Sequence, residues 1–169
     1  MPVTINGTSG ITSPDGSITA PPYAGSTVST AGVYFPSSNS VAITTNSVQR
    51  LSIGSGGFCT YTGGASQNIS SLTDGATITP DFTTANNFTV TLGGNRTLAN
   101  PTSPVAGQSG IIYIVQDGTG SRTLSFGAYY KFPNGFAPTL TTTANAVDAI
   151  VYTVRSTTSI TCQFIQNIG

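Results

Sequence analysis

Phe88-Thr89-Val90-Thr91-Leu92 alternates apolar and polar side chains with a period of two, the mark of a strand with one buried face. Around it, the pattern predicts strands over 76–79, 87–92, 110–116, 122–126, 147–155 and 159–166. Ile111-Ile112-Tyr113-Ile114-Val115 is continuously apolar, which predicts a central strand covered on both faces. Asp117-Gly118-Thr119-Gly120 reads as a turn, so 110–126 is expected to be a hairpin. A Ser-Thr-Thr loop at 156–158 predicts a second hairpin from the last two strands. At 144–150 the composition permits a helical turn, but Val147 and Ile150-Val151 favour the start of a strand.

The first part of the chain has a different texture. Its apolar patches are short: Gly32-Val33-Tyr34-Phe35, Val41-Ala42-Ile43 and Leu51-Ser52-Ile53. Turn-like clusters separate them: Pro36-Ser37-Ser38-Asn39-Ser40, Thr45-Asn46-Ser47 and Gly54-Ser55-Gly56-Gly57. Such fragments bury too little apolar surface to offset the entropy of ordering them. Stacking between identical chains is the preferred remedy, and a short, loosely packed sheet within one chain is the alternative. The expected division is an extended attachment and oligomerisation region at 1–73, followed by a compact β domain at 74–169. No exact repeat of fixed period is present. The fold class expected is all-β, with a C-terminal β-sandwich or jelly-roll-like domain after a region of short strands.

Composition sharpens this picture. Of 169 residues, 29 are Thr and 20 are Ser, and only 6% are charged, against roughly 25% in ordinary soluble domains. Thr is β-branched and suits a pleated surface, while 20 Gly and 10 Pro supply the turns. The formal net charge is zero, with Arg50, Arg96, Arg122, Lys131 and Arg155 spread along the chain. No basic run exists to neutralise phosphates, so no nucleic-acid partner is expected. A neutral protein with so few charges is a poor colloid alone, and assembly relieves that problem. No apolar stretch is long enough to span a bilayer, and the first residues lack the charged and apolar regions of a secretory signal. No membrane insertion is expected, and assembly is placed in a cytoplasm.

The chain contains neither His nor Glu. Ser-His-Asp and Cys-His sites are therefore excluded, as is a glycosidase pair using Glu. The acids are Asp15, Asp74, Asp81, Asp117 and Asp148, of which Asp15, Asp74 and Asp117 precede Gly as turn residues do. No oxygen-rich calcium loop is present, and Gly54-Ser55-Gly56-Gly57 lacks the Lys and following helix of a phosphate cradle. No catalytic residue, metal or cofactor is expected, and a polysaccharide depolymerase using Asp81 or Asp148 is the minor alternative. Cys59 and Cys162 match no metal or redox spacing and read as two buried thiols, behaving as small apolar residues, rather than a disulfide. The Asn-x-Ser/Thr matches at Asn6, Asn68, Asn87 and Asn95 follow from the abundance of hydroxyl residues.

One aromatic cluster stands out: Phe126-Gly127-Ala128-Tyr129-Tyr130-Lys131-Phe132-Pro133-Asn134-Gly135-Phe136. Packing into the domain or between subunits is the preferred reading. For the alternative, recognition of a host glycan or a neighbouring protein, Tyr129, Tyr130 and Phe136 are the candidates.

Two stretches resemble bacteriophage tail-fibre and virion appendage proteins. Gly32-Val33-Tyr34-Phe35, with the turn Thr44-Thr45-Asn46-Ser47 and then Arg50-Leu51-Ser52-Ile53-Gly54, resembles a segment of fibre shafts. Asn95-Arg96-Thr97-Leu98-Ala99-Asn100-Pro101, Ala106-Gly107-Gln108-Ser109-Gly110, Gln116-Asp117-Gly118-Thr119-Gly120-Ser121-Arg122 and Lys131-Phe132-Pro133 are similar to a C-terminal domain of fibre proteins. The resemblance implies a non-enzymatic virion protein, a homotrimer with intertwined N-terminal regions, bound to other tail or capsid proteins and in contact with a host surface glycan. The chain has room for one shaft segment only, so a short fibre, a head fibre or a capsid decoration (cement) protein suits its length better than a long fibre.

Overall fold

The computed structural model describes residues 4–6 and 10–169, with backbone only for the first two strands. The chain divides into two compact units, Met1–Ser66 and Gln67–Gly169. Among the described residues there is no α-helix, and the fold is all-β as expected. No helix is long and apolar enough to cross a membrane.

The first unit begins with an antiparallel ribbon of β1 (Thr4–Asn6) and β2 (Gly10–Thr12). A five-stranded antiparallel meander follows: β3 (Tyr23–Gly25), β4 (Val28–Tyr34), β5 (Val41–Thr45), β6 (Val48–Ile53) and β7 (Cys59–Tyr61). The apolar patches thus pair with one another inside one chain, the alternative less favoured from the sequence. Asn46 and Ser47 both take positive φ, 50° and 56°, between paired Thr45 and Val48. Two left-handed residues match the twist of the flanking strands and close a tight hairpin. Tyr34, Ala42 and Thr44 lie on one face of the sheet and are buried. The segment before β3 covers that face: Thr44 Oγ1 donates to the Ile18 carbonyl at 3.2 Å, and Pro21 is buried.

The second unit winds differently from a jelly roll. Its strands are β8 (Ile69–Ser71), β9 (Thr77–Ile78), β10 (Asn87–Leu92), β11 (Arg96–Leu98), β12 (Ser109–Gln116), β13 (Leu124–Phe126), β14 (Tyr130–Lys131), β15 (Val147–Ser156) and β16 (Ser159–Ile165). The chain alternates between two sheets. β8, β10 and β12 lie side by side and parallel in one, and β9, β11 and β13 do the same in the other. These are three successive turns of a parallel coil. The antiparallel pair β15–β16 then extends the first sheet, with β14 parallel to β16 at its edge, giving the order β14-β16-β15-β12-β10-β8. β8 falls within the region assigned to 1–73 from the sequence, and it pairs into this second unit.

One hydrophobic core joins both sheets. Ile78, Leu98 and Leu124 come from the smaller sheet, and Phe88, Val90, Leu92, Ile112, Ile114, Ile150, Tyr152, Val154 and Ile160 from the larger. Stacked Phe82 bridges Phe88 and Tyr152, with ring centroids 5.6 and 4.8 Å away. Two expectations change. β12 is central, but only Ile112, Ile114 and Gln116 are buried, while Ile111, Tyr113 and Val115 face outward and are half-buried. The hairpin expected over 110–126 does not form, because β12 and β13 belong to different sheets. The hairpin of the last two strands does form.

Polar side chains at the corners explain this winding. The buried Gln116 amide brackets the Arg122 backbone, accepting from its N–H at 2.9 Å and donating to its carbonyl at 3.0 Å. Asp117 accepts from the N–H groups of Thr119 and Gly120 and from the Arg122 guanidinium, at 2.7–3.0 Å. Gly120 and Ser121 take positive φ there, and the chain is carried round the corner into the other sheet. Asp74 of the first turn holds Arg96 of the second in a bidentate pair at 2.7 and 2.8 Å. Asn95 of the second turn accepts from the Thr123 N–H of the third at 3.0 Å. Asn100 and Asn87 accept from Tyr129 and Ile111 in the same way.

Candidate functional site

These stitches account for much of the sequence pattern that marked the second unit. Asn95, Arg96, Asn100, Gln108, Gln116, Asp117 and Arg122 all hold one turn of the coil to the next or shape a corner. Gln108, for example, donates to the Phe82 carbonyl at 2.8 Å and to Asn86 at 2.7 Å. Their role is scaffolding, and the surface able to meet a ligand lies elsewhere.

The aromatic run leaves the third turn of the coil. β14 attaches it to β16, with Tyr130 opposite Ile160 and Lys131 opposite Thr161. A single 3-10 turn, Pro133–Gly135, follows, with Asn134 and Gly135 at positive φ. The residues around it line an open groove of about 380 Å³ that includes Phe126, Ala128, Tyr130, Lys131, Phe132 and Ala137. Phe126 sets its ring edge-to-face against Tyr130 at 6.0 Å and Phe132 at 4.8 Å. Lys131 Nζ donates to the Ala128 carbonyl at 2.7 Å, which fixes the groove's one cation.

The three candidates separate. Tyr130 is buried, and its hydroxyl donates to the Ala99 carbonyl at 3.2 Å. Desolvation there pushes the phenol well above its ordinary value, so it stays neutral. Tyr129 is half-buried and packs against the core. Phe136 is 79% exposed, just beyond the 3-10 turn. The ring available to a partner is therefore Phe136, while Phe126 and Lys131 line the groove and escaped the sequence reading as individuals. An exposed apolar ring can stack on a sugar face, and a cation beside it can bond a sugar hydroxyl.

The aspartates are held by the scaffold. The Arg96 guanidinium beside Asp74, and that of Arg122 beside Asp117, hold both carboxyls below the usual value. Asp81 is also lowered, chiefly by the Thr83 N–H that it accepts at 3.0 Å. Asp148 is buried in β15 and accepts from Thr141 N and Oγ1 and from Asn167 N, at 2.7–2.8 Å. Asp74 and Asp81 line a second open groove, of about 500 Å³, with Thr73, Thr77, Thr79 and Thr84. Among the described residues no group of His, Cys, Asp or Glu is placed to hold a metal ion. Both cysteines are free thiols, but only Cys162 is buried as expected; Cys59, in the short strand β7, is exposed.

Residues 78–158 match a family model described as "Putative phage tail fibre C-terminal domain". The match runs from β9 to the end of β15 and thus covers most of the second unit. It supports the tail-fibre resemblance read from the sequence and indicates a component of the virion. Neither a curated protein nor a solved structure matches the chain.

Proposed function

We propose that this chain is a fibre-like, non-enzymatic appendage of a phage particle, acting as a homotrimer. Its first unit (1–73 in the division read from the sequence) joins subunits and binds other virion proteins. Its second unit (74–169) presents the groove and Phe136 to the host surface, with a cell-surface glycan as ligand class. The observation that carries this reading is the coincidence of the tail-fibre family match with a stitched coil whose exposed aromatic, Phe136, sits beside an open groove. Three copies on one particle would add weak contacts into strong attachment without any one site being tight.

Separated tails and capsids, each quantified for this chain by mass spectrometry, test the placement. A low-copy signal in the tail fraction is expected. Abundance in capsids comparable to the major shell protein would replace the reading with capsid decoration. Host contact is tested with the purified full chain as competitor of phage adsorption. Competition lost in Phe136→Ala, with thermal stability unchanged, is expected, and equal competition by both proteins would remove Phe136 from the contact.

A further inference from the structure

Among the described residues, nothing in the first unit covers one face of its five-stranded sheet. Register places Tyr23, Val33, Ile43, Leu51 and Tyr61 opposite one another in a single row across all five strands. A second row on the same face holds Val41, Ile53 and Cys59. Every side chain in the two rows is apolar, aromatic or a thiol. Tyr23, Ile43 and Ile53 are about 40% exposed and Tyr61 is 62% exposed. Val33, Val41, Ile43, Leu51 and Ile53 line an apolar depression of about 200 Å³ there. The opposite face, with Tyr34, Ala42 and Thr44, is the one closed by residues 15–21.

We infer that this open face is where a second copy of the chain packs, the rows Tyr23–Tyr61 and Val41–Cys59 forming the contact. The inference rests on the oligomeric reading above and names the surface that reading leaves unassigned. Charge is the first support. The two rows carry no charged group, so copies of them meet around a common axis without like-charge repulsion or a desolvated ion. Arg50, the one charged residue in these strands, sits at the β5–β6 bulge and donates to Thr45 Oγ1 at 2.9 Å. Area is the second. The five strands are 3, 7, 5, 6 and 3 residues long, and at about 3.3 Å per residue and about 4.8 Å apart they present about 380 Å² in projection. That is about half of the roughly 800 Å² each partner gives to a stable interface. The third support is the size of the unit's own core. Among the described residues, Tyr34 and Ala42 are its buried apolar side chains apart from Pro21. So small a core offsets little of the ordering entropy, and the open rows are the largest apolar reserve left to the unit.

Cys59 reports directly on the contact. It lies within the open face, whereas Cys162 is buried, with its thiol pushed up to about 12 by desolvation, and is inert to alkylation. The experiment measures maleimide labelling of Cys59 and sedimentation mass together on the full chain across a concentration series. Expected are an oligomeric mass, Cys59 labelling about tenfold slower in the assembled state, and recovery of fast labelling on dilution. Ile43→Lys should give monomer and fast labelling at every concentration. Its side chain is already part-exposed and a Lys can reach water, so the isolated sheet tolerates it. Val105→Lys, on an exposed loop of the other unit, should leave mass and labelling as in the parent. A parent protein that is oligomeric with fast Cys59 labelling at all concentrations would overturn this face while leaving the oligomer standing. An oligomer that survives Ile43→Lys would do the same. A monomer throughout, with concentration-independent labelling, would overturn both.

Discussion

Gly110 offers the sharpest test of the coiled second unit. It is the second residue of β12, where the strand passes Asn86, the residue before β10. A Cβ at this position would lie 1.8 Å from the Asn86 carbonyl oxygen and 3.0 Å from the Tyr152 hydroxyl. The same carbonyl accepts the hydroxyl of buried Tyr152 at 2.8 Å. Gly110→Ala must therefore push two backbones apart by about 1.5 Å to restore ordinary contact, in an interior packed as densely as a crystal. Overpacking of this kind costs about 1–3 kcal/mol. Parting the Tyr152 hydroxyl from its acceptor adds about 1–2 kcal/mol, since the donor stays buried. A loss of about 3 kcal/mol is expected, on the order of 10 °C in the melting temperature. Guanidinium and thermal unfolding of Gly110→Ala should be read beside Gly118→Ala, where an added Cβ meets nothing within 4 Å. Tyr152→Phe isolates the hydrogen-bond share and should lose about 1 kcal/mol. Equal midpoints for Gly110→Ala and Gly118→Ala would refute the close approach and the register that produces it.

Three other perturbations probe separate parts of the molecule. Asp74, Asp81 and Asp117 have lowered folded values, so their contribution is complete above the ordinary carboxylate value of 3.8 and is lost as pH falls through the folded ones. Melting temperature is expected to be level from neutral pH to about 5 and to fall below about 4, and the fall should be shallower in Asp117→Asn. Asp148→Ala leaves three donors around Thr141 and Asn167 without their acceptor, and a loss of about 2–4 kcal/mol in denaturant titration is expected. Ser47→Gly places glycine at a φ of 56° in the β5–β6 hairpin and should stabilise the first unit by up to about 1 kcal/mol, read as a higher melting temperature.

What the sequence could and could not disclose follows from the length of each signal. The period-two alternation of Phe88–Leu92, the continuous apolar run of β12 and the turn-bounded segments of β15 and β16 marked strands that the structure contains. β11 is three residues long and β14 two, too short for any periodicity to register, although both hold core residues. The parallel winding was hidden for a further reason. Asn87 stands opposite Ile69 on one side and Ile111 on the other, and Thr97 opposite Thr77 and Ser125. The steps are unequal, so no fixed period exists to be found. Asp-Gly at 117–118 has the chemistry of a hairpin turn, but the Gln116 amide captures the Arg122 backbone and turns the chain away from a β12–β13 pairing. In the aromatic run, composition flagged the right loop. It could not separate Tyr130, which faces inward beneath Ala99, from Phe136, which stands in solvent.

The coil also constrains how this molecule can change length. β8 and β9 form its open lower rims, and each later turn rests on the one before. Inserting a complete circuit of chain, with its Asn or Arg tether to the next, would raise the stack by one strand spacing of about 4.8 Å and leave both ends and both faces as they are. Inserting a single residue within a strand would turn every following side chain inside out. Such a body can be lengthened like a spring, coil by coil, in whole increments of one strand spacing while both of its ends stay the same.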